Sequence, residues 1–151
     1  MTDDLARILA PVGDPDAEHF WTALDEGTLS VSACRSCGRR WLPPMATCPR
    51  CGSAEVGSEA GPATGRLYTW TVIHMAADPL YAADTPYVVG LVDLAIDDPG
   101  NGPVRLYGRV LGVAHDDLGD GLELQVGITR VDDQPIWYFG PIWYFSPARS
   151  S

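Results

Sequence analysis

The chain has 151 residues, 46% of them hydrophobic and 20% charged, the composition of one compact domain, or one domain with a small appendage, and not of a disordered tail. Acidic residues outnumber basic ones 20 to 10 for a formal charge of -10, which speaks against a nucleic-acid or anionic-membrane surface as the main function. All ten basic residues are arginine, so composition alone excludes a Schiff-base or phosphate-loop lysine and leaves arginine for any anion contact.

Met1 to Ala10 open with acids and lack a basic region ahead of an apolar run, and no stretch approaches the roughly 18 apolar residues that cross a bilayer. A soluble, cytoplasmic protein is the expectation. Thr2 can cap a short turn carrying Leu5, Ile8 and Leu9, and Asp14-Pro15 supplies an N-cap with proline at the first helical position. A second helix follows, in which Ala17, Phe20, Trp21 and Leu24 form one apolar stripe, Gly27 marks the stop and His19 falls on the polar side.

Leu29 to Gly52 hold all four cysteines and four arginines without a carboxylate, whereas Gly57 to Gly65 have the composition of a linker. A boundary is expected near residue 60. Beyond it, Arg66 to His74, Tyr87 to Ile96, Val104 to Val113 and Leu122 to Val131 are β-branched or aromatic runs parted by turn-forming segments. Short strands at this spacing suggest a barrel. Alternation in the third run puts Val104, Leu106 and Val110 on one face and Arg105, Tyr107 and Arg109 on the other, while the second run is apolar almost throughout.

The chain then repeats itself: Pro135-Ile-Trp-Tyr-Phe-Gly140 is followed by Pro141-Ile-Trp-Tyr-Phe-Ser146. One copy can complete the sheet as its last strand. The other must pack on the chain's own core, meet a partner surface, or stand as an aggregation hazard.

Cys34-Arg-Ser-Cys37-Gly38 and Cys48-Pro-Arg-Cys51-Gly52 are two Cys-x-x-Cys-Gly knuckles, the spacing that brings two thiolates to one ion while glycine permits the tight turn behind them. Four thiolates suit a structural zinc ion with no open position for water. Two disulfides, or a rubredoxin-like iron site, are the other uses of the same residues. Arg35, Arg39, Arg40 and Arg50 surround the knuckles and either offset the negative charge of a four-thiolate centre or, with Trp41 beside Arg39 and Arg40, present a cationic and aromatic patch to a phosphate, a nucleotide or an acidic partner.

With the thiols committed, catalytic signatures are absent: the sequence has no Gly-x-Ser-x-Gly elbow, no Gly-x-Gly-x-x-Gly fingerprint and no His-Glu-x-x-His pair. His74 and His115 are general bases only if a substrate comes close, and Asp93, inside an apolar run, is either a tuned carboxylate or a wet-face partner of an arginine. No catalytic residue is assigned.

The order of parts resembles a known family. A helix with Phe20-Trp21, two knuckles flanking Pro43-Pro44, then Gly65-Arg-Leu-Tyr-Thr-Trp-Thr-Val-Ile73, Pro86-Tyr-Val-Val-Gly-Leu-Val-Asp-Leu94 and Val104-Arg-Leu-Tyr-Gly-Arg-Val110 are similar to the zinc-ribbon and OB-fold acyl-CoA-associated family, domain of unknown function 35. The resemblance implies a mainly β fold with N-terminal helices (1–28), a rubredoxin-like zinc ribbon (29–59), then a five-stranded OB-fold barrel with an aromatic tail (60–151). It also implies Cys34, Cys37, Cys48 and Cys51 as zinc ligands, matched one by one.

The implied role is that of a non-catalytic accessory subunit. Family members dock on thiolase-fold enzymes, among them acyl-CoA thiolases, acyltransferases and lipid-transfer-protein-type aldolases of steroid side-chain CoA thioesters, and some are fused to hot-dog-fold enoyl-CoA hydratases. A retro-aldol lyase partner in a heterotetramer is expected, with Arg39, Arg40, Trp41, Arg105, Tyr107 and Arg109 as candidate contacts to CoA or partner. A partner of the acyl-CoA thiolase or acyltransferase kind, or a free-standing acyl-CoA binding protein, is the alternative. The doubled tail, and Gly121-Leu-Glu-Leu-Gln-Val126, depart from the family pattern.

Overall fold

The computed structural model describes residues 14–98, 100–131 and 133–141. The turn expected over Thr2 to Leu9 and the second Ile-Trp-Tyr-Phe copy lie outside them.

The Asp14 carboxylate accepts the Asp16 N–H at 3.0 Å, and Pro15 opens a 3-10 turn over Pro15–Ala17 that runs directly into helix α1 (Glu18–Asp25). The apolar stripe is buried as its spacing requires, with Phe20 and Leu24 inside. Gly27, at φ 82°, ends the helix, and the Thr28 N–H reaches back to the Ala23 carbonyl at 2.8 Å. His19 departs from its expected polar placement. Strand β1 (Ser30–Cys34) lies beneath the helix with every residue buried, and its two serine hydroxyls need partners there. The His19 ring supplies both, Nδ1 at 2.8 Å from Ser30 Oγ and Nε2 at 3.2 Å from Ser32 Oγ.

β1 is the centre of a three-stranded sheet, between β2 (Arg40–Trp41) and β3 (Val56–Ala60). β3 occupies part of the stretch whose composition reads as linker. Its Gly-Ser-Glu-Ala sequence has little strand preference, but the buried backbone of β1 needs a ladder partner, and five register pairs from Ser30↔Ala60 to Cys34↔Val56 provide it.

The remaining strands are β4 (Thr64–Ile73), β5 (Tyr87–Leu94), β6 (Arg105–Val110), β7 (Glu123–Val131) and β8 (Gln134–Gly140). They close into a barrel in the order β4-β5-β6-β8-β7, the five-stranded OB arrangement. Each expected run overlaps one strand, β4 starting two residues ahead of its run and β5 and β6 ending two and three residues short of theirs, and the first Pro-Ile-Trp-Tyr-Phe copy lies in β8. Among the described residues only the β6–β8 contact is parallel, at Val110↔Phe139.

β5 is not apolar because both of its faces are core: its burial alternates along all eight residues. The half-buried residues Val89, Leu91 and Asp93 lie opposite Arg109, Tyr107 and Arg105 of β6, whose long side chains cover them from outside. Inside, Leu67, Val92, Leu124 and Phe139 are fully enclosed and share one cluster with Phe20 and Leu24 of α1 and Val31 of β1. Helix, ribbon and barrel therefore bury apolar surface against each other. Among the described residues no helix is long and apolar enough to cross a membrane.

Candidate metal centre and the outer face of the barrel

The first knuckle hangs from the end of β1 and the second from the loop before β3. In each, the N–H of the closing glycine bonds the carbonyl of the first cysteine at 2.9 Å, Gly38 to Cys34 and Gly52 to Cys48. Both glycines have positive φ, 77° and 74°, the left-handed conformation that a side chain resists. The Cys37 N–H points at Cys34 Sγ and the Arg50 N–H at Cys48 Sγ, each at 3.4 Å. Ser36 and Ser53 hydroxyls tie the knuckles together at 2.9 Å.

The four Sγ atoms all lie within 4.8 Å of one another. Two cross-knuckle separations are 3.6 Å for Cys34–Cys51 and 3.7 Å for Cys37–Cys48. Zinc–thiolate bonds of about 2.3 Å in a tetrahedron require sulfur atoms ~3.8 Å apart, so the donor set fits that ion. All four cysteines are free thiols, which removes the disulfide alternative from this structure.

The protons are unevenly held. Cys34 is drawn down to about 6, chiefly by the backbone N–H of Cys37. Burial acts to raise Cys48, but the N–H groups of Cys51 and Arg50 outweigh it and leave it lowered. The Ser53 N–H acts downward on Cys51, yet burial and hydrogen bonds with the other three thiols push it up to about 11. A bound cation removes this inequality by displacing every thiol proton.

Around this centre the arginines have definite tasks. Arg40 Nε donates to Glu59 across the small sheet at 2.7 Å. Arg50 Nη1 donates to Asn101 Oδ1 in the β5–β6 loop, and Arg39 Nη1 lies buried near Gly102 of the same loop. Two ribbon arginines thus reach across to the barrel. Trp41, expected on an exposed patch, is 3% exposed and packs with Cys34 and Cys48 in the ribbon core. Its burial follows from β2 pairing against β1, Ser32↔Trp41, which turns the indole onto the cysteine side. Arg40 and Glu59 also line an open cleft of about 280 Å³ between ribbon and barrel, with Pro62 and Ile96.

On β6, Arg105, Tyr107 and Arg109 do share the outer face. Arg105 pairs with Asp93 at 2.6 Å and lies over the Tyr68 ring, 3.7 Å from its centroid. Arg109 pairs with Asp84 at 3.5 Å and lies over Tyr87 at 4.1 Å. Both guanidinium groups are clamped between a carboxylate and an aromatic ring. Tyr107 stands between them, 64% exposed, its ring edge against Trp137 at 6.2 Å. Sequence reasoning missed Tyr68, Tyr87, Asp84 and Trp137 as members of this face, because only strand register makes them neighbours. His74 and His115 are exposed, and Asp93 is the arginine partner just described.

Fold and cysteine site together define a zinc-ribbon protein with an OB-fold barrel. The chain belongs to the ChsH2 family: residues 21–57 match the ChsH2 rubredoxin-like zinc ribbon domain and residues 58–134 the ChsH2 C-terminal OB-fold domain. It is 27% identical over 124 residues to the probable enoyl-CoA hydratase alpha subunit of Thermomonospora curvata, covering 82% of this chain and 36% of that protein. The chain therefore spans about a third of that relative's length. Among solved structures it is similar to a chain of the Ltp2-ChsH2(DUF35) aldolase, with 26% identity and a TM-score of 0.75 over 87% of this chain and 98% of that one. A DUF35-family protein of unknown function from Sulfolobus solfataricus shares the fold at 16% identity and a TM-score of 0.55, over 82% of this chain and 86% of that one.

Proposed function

We propose that this chain is a non-catalytic accessory subunit of an acyl-CoA enzyme. The observation that carries the reading is the correspondence over 98% of the matched chain in the Ltp2-ChsH2(DUF35) aldolase. The enoyl-CoA hydratase name of the Thermomonospora curvata relative adds that the same module is found with acyl-CoA chemistry. In this reading the partner is a thiolase-fold, lipid-transfer-protein-type subunit in a cytoplasmic heterotetramer. The reaction it supports is retro-aldol cleavage of a steroid side-chain or other lipid CoA thioester.

Cys34, Cys37, Cys48 and Cys51 hold a structural zinc ion that fixes the ribbon, and the ribbon arginines set it against the barrel. The outer face of β6 is the favoured docking surface. Tyr107 offers an exposed ring there, and Arg105 and Arg109, already desolvated in part and rigidly clamped, lose little freedom when covered. A CoA thioester is shared with the partner rather than bound by this chain alone.

Affinity capture of the tagged full chain from its native lysate, with mass spectrometry of co-eluting proteins, tests the reading. A thiolase-fold protein in near-stoichiometric amount is expected. A chain that elutes alone and loaded with CoA contradicts it and favours a free-standing acyl-CoA binder.

A further inference from the structure

The two edges of β4 meet different surroundings. Toward β5 the strand is paired almost throughout, from Gly65↔Leu94 to Ile73↔Tyr87. Toward β7 the ladder ends at Arg66↔Glu123. Just beyond it Leu67 accepts from the Gly121 N–H at 2.8 Å and donates to the Leu122 carbonyl at 2.9 Å. Among the described residues no strand takes over on that side for the rest of β4.

The backbone groups left over follow from the alternation of an antiparallel ladder. The Leu94 N–H bonds the Val104 carbonyl at 2.9 Å, so the alternate residues Val92, Gly90 and Val88 of β5 also direct their N–H and C=O groups toward β6. Beyond the bulge between Leu67 and Thr69, the β4 residues opposite Gly90 and Val88 are Trp70 and Val72. Their N–H and C=O groups therefore point to the open side.

The sequence does little to blunt this edge. Leu67-Tyr-Thr-Trp-Thr-Val-Ile73 contains no charged residue and no proline, the devices that commonly keep an exposed edge from accepting another strand. The bulge sits where the β7 ladder ends, and the pairs from Thr69 to Ile73 are in regular register. β-Branched and aromatic residues fill the segment, the types that pair best across strands. Tyr68 is 48% exposed and Trp70 37%, and Thr69 and Thr71 are exposed beside them. The edge also joins the outer face of β6. Thr69, Leu91 and Tyr107 form one cross-strand row, and Thr71, Val89 and Arg109 the next, which puts the edge roughly 10 Å from Tyr107 at about 4.8 Å per strand.

We propose that the edge from Thr69 to Ile73 is a strand-addition site, where an extended, uncharged segment of the partner subunit pairs with β4. The site rests on the accessory-subunit reading, because a partner seated on Tyr107 is the chain that reaches this edge. Main-chain bonds to Trp70 and Val72 supply affinity, and side chains alternating to either face of the added strand supply specificity. Charge disfavours a second copy of this chain as the occupant, since each copy carries -10 and like-charged molecules repel.

Residue-resolved hydrogen exchange, on the free full chain and on the complex recovered by affinity capture, tests the site. In the free chain the Trp70 and Val72 amides should exchange at least about a hundredfold faster than that of Thr71, which faces β5. In the complex both should slow by about a hundredfold or more. A near-stoichiometric thiolase-fold partner that leaves both amides fast overturns strand addition and leaves the accessory-subunit reading standing. Capture of no partner overturns that reading and the site with it. Amides already slow in the free chain also overturn the proposal: slowing that fades on dilution puts a second copy on the edge, and slowing independent of concentration puts this chain's own residues there. Val72→Pro removes an N–H on the open side, where proline is tolerated. A variant that keeps the parent's near-ultraviolet circular dichroism should hold the captured partner about tenfold more weakly, and unchanged retention contradicts the site. Where Val72→Pro does not fold, exchange in the parent complex decides.

Discussion

Gly108 on β6 is where the aromatic side of the core is tightest. A Cβ built there would stand 2.9 Å from Phe139 Cε2 and 3.0 Å from Trp137 Nε1, whereas carbon contacts relax near about 3.5 Å or beyond. Gly108→Ala must therefore displace two rings by roughly 0.5 Å, and neither is free to move. Phe139 is completely enclosed, and the Trp137 indole is anchored to the Tyr107 carbonyl at 2.7 Å. Overpacking of this kind costs about 1–3 kcal/mol, and loosening the indole hydrogen bond adds about 1 kcal/mol. For a chain of this size the sum lowers Tm by roughly 5–15 °C. Thermal unfolding followed by near-ultraviolet circular dichroism measures the effect; a Gly108→Ala chain melting within about 1 °C of the parent would refute the packing argument.

Two further outcomes follow from the ribbon. Cys48→Ser should release the metal, because it removes a buried ligand from a four-thiolate set, and zinc content by mass spectrometry should fall well below one ion per chain; full zinc with unchanged stability contradicts the ligand assignment. Burial between the helix and β1 lowers the His19 pKa below its ordinary 6.5, so the folded state holds the neutral ring. That contribution is complete above pH ~6.5 and is lost as pH falls from there through the depressed folded-state value. Urea unfolding should therefore show the parent losing stability between about pH 7.5 and pH 5 more steeply than His19→Gln, and equal slopes would remove His19 as the cause.

The local pattern was enough for the helix stripe, the two knuckles and the run of strands, because each depends on near neighbours in sequence. A thiolate pair two residues apart with glycine behind it carries its own turn, and a β-branched run carries its own face alternation. The same holds for Arg105, Tyr107 and Arg109, whose common face is set by spacing alone. The identity of what meets that face is a different matter. Tyr68 and Tyr87 become platforms for the two arginines only through the register of β5 and β6 and a bulge between Leu67 and Thr69 in β4.

Composition misreads β3, since serine, glycine and glutamate in a linker look the same as in a strand recruited by a neighbour's unpaired backbone. Trp41 reads as a surface aromatic among arginines until β2 pairs with β1 and turns it inward. His19 reads as polar by helical periodicity until two buried hydroxyls are placed beneath it. The sequence by itself determined the four-cysteine set, the strand runs of the barrel, the helix face and the repeat in the sequence of the last strand, all short-range properties of the chain. Only the tertiary structure decided barrel order, the ribbon's arginine contacts to the β5–β6 loop and the partners of every charged side chain on the outer face. Those depend on which distant segments become neighbours, and that is fixed by the shared burial of helix, ribbon and barrel in one core.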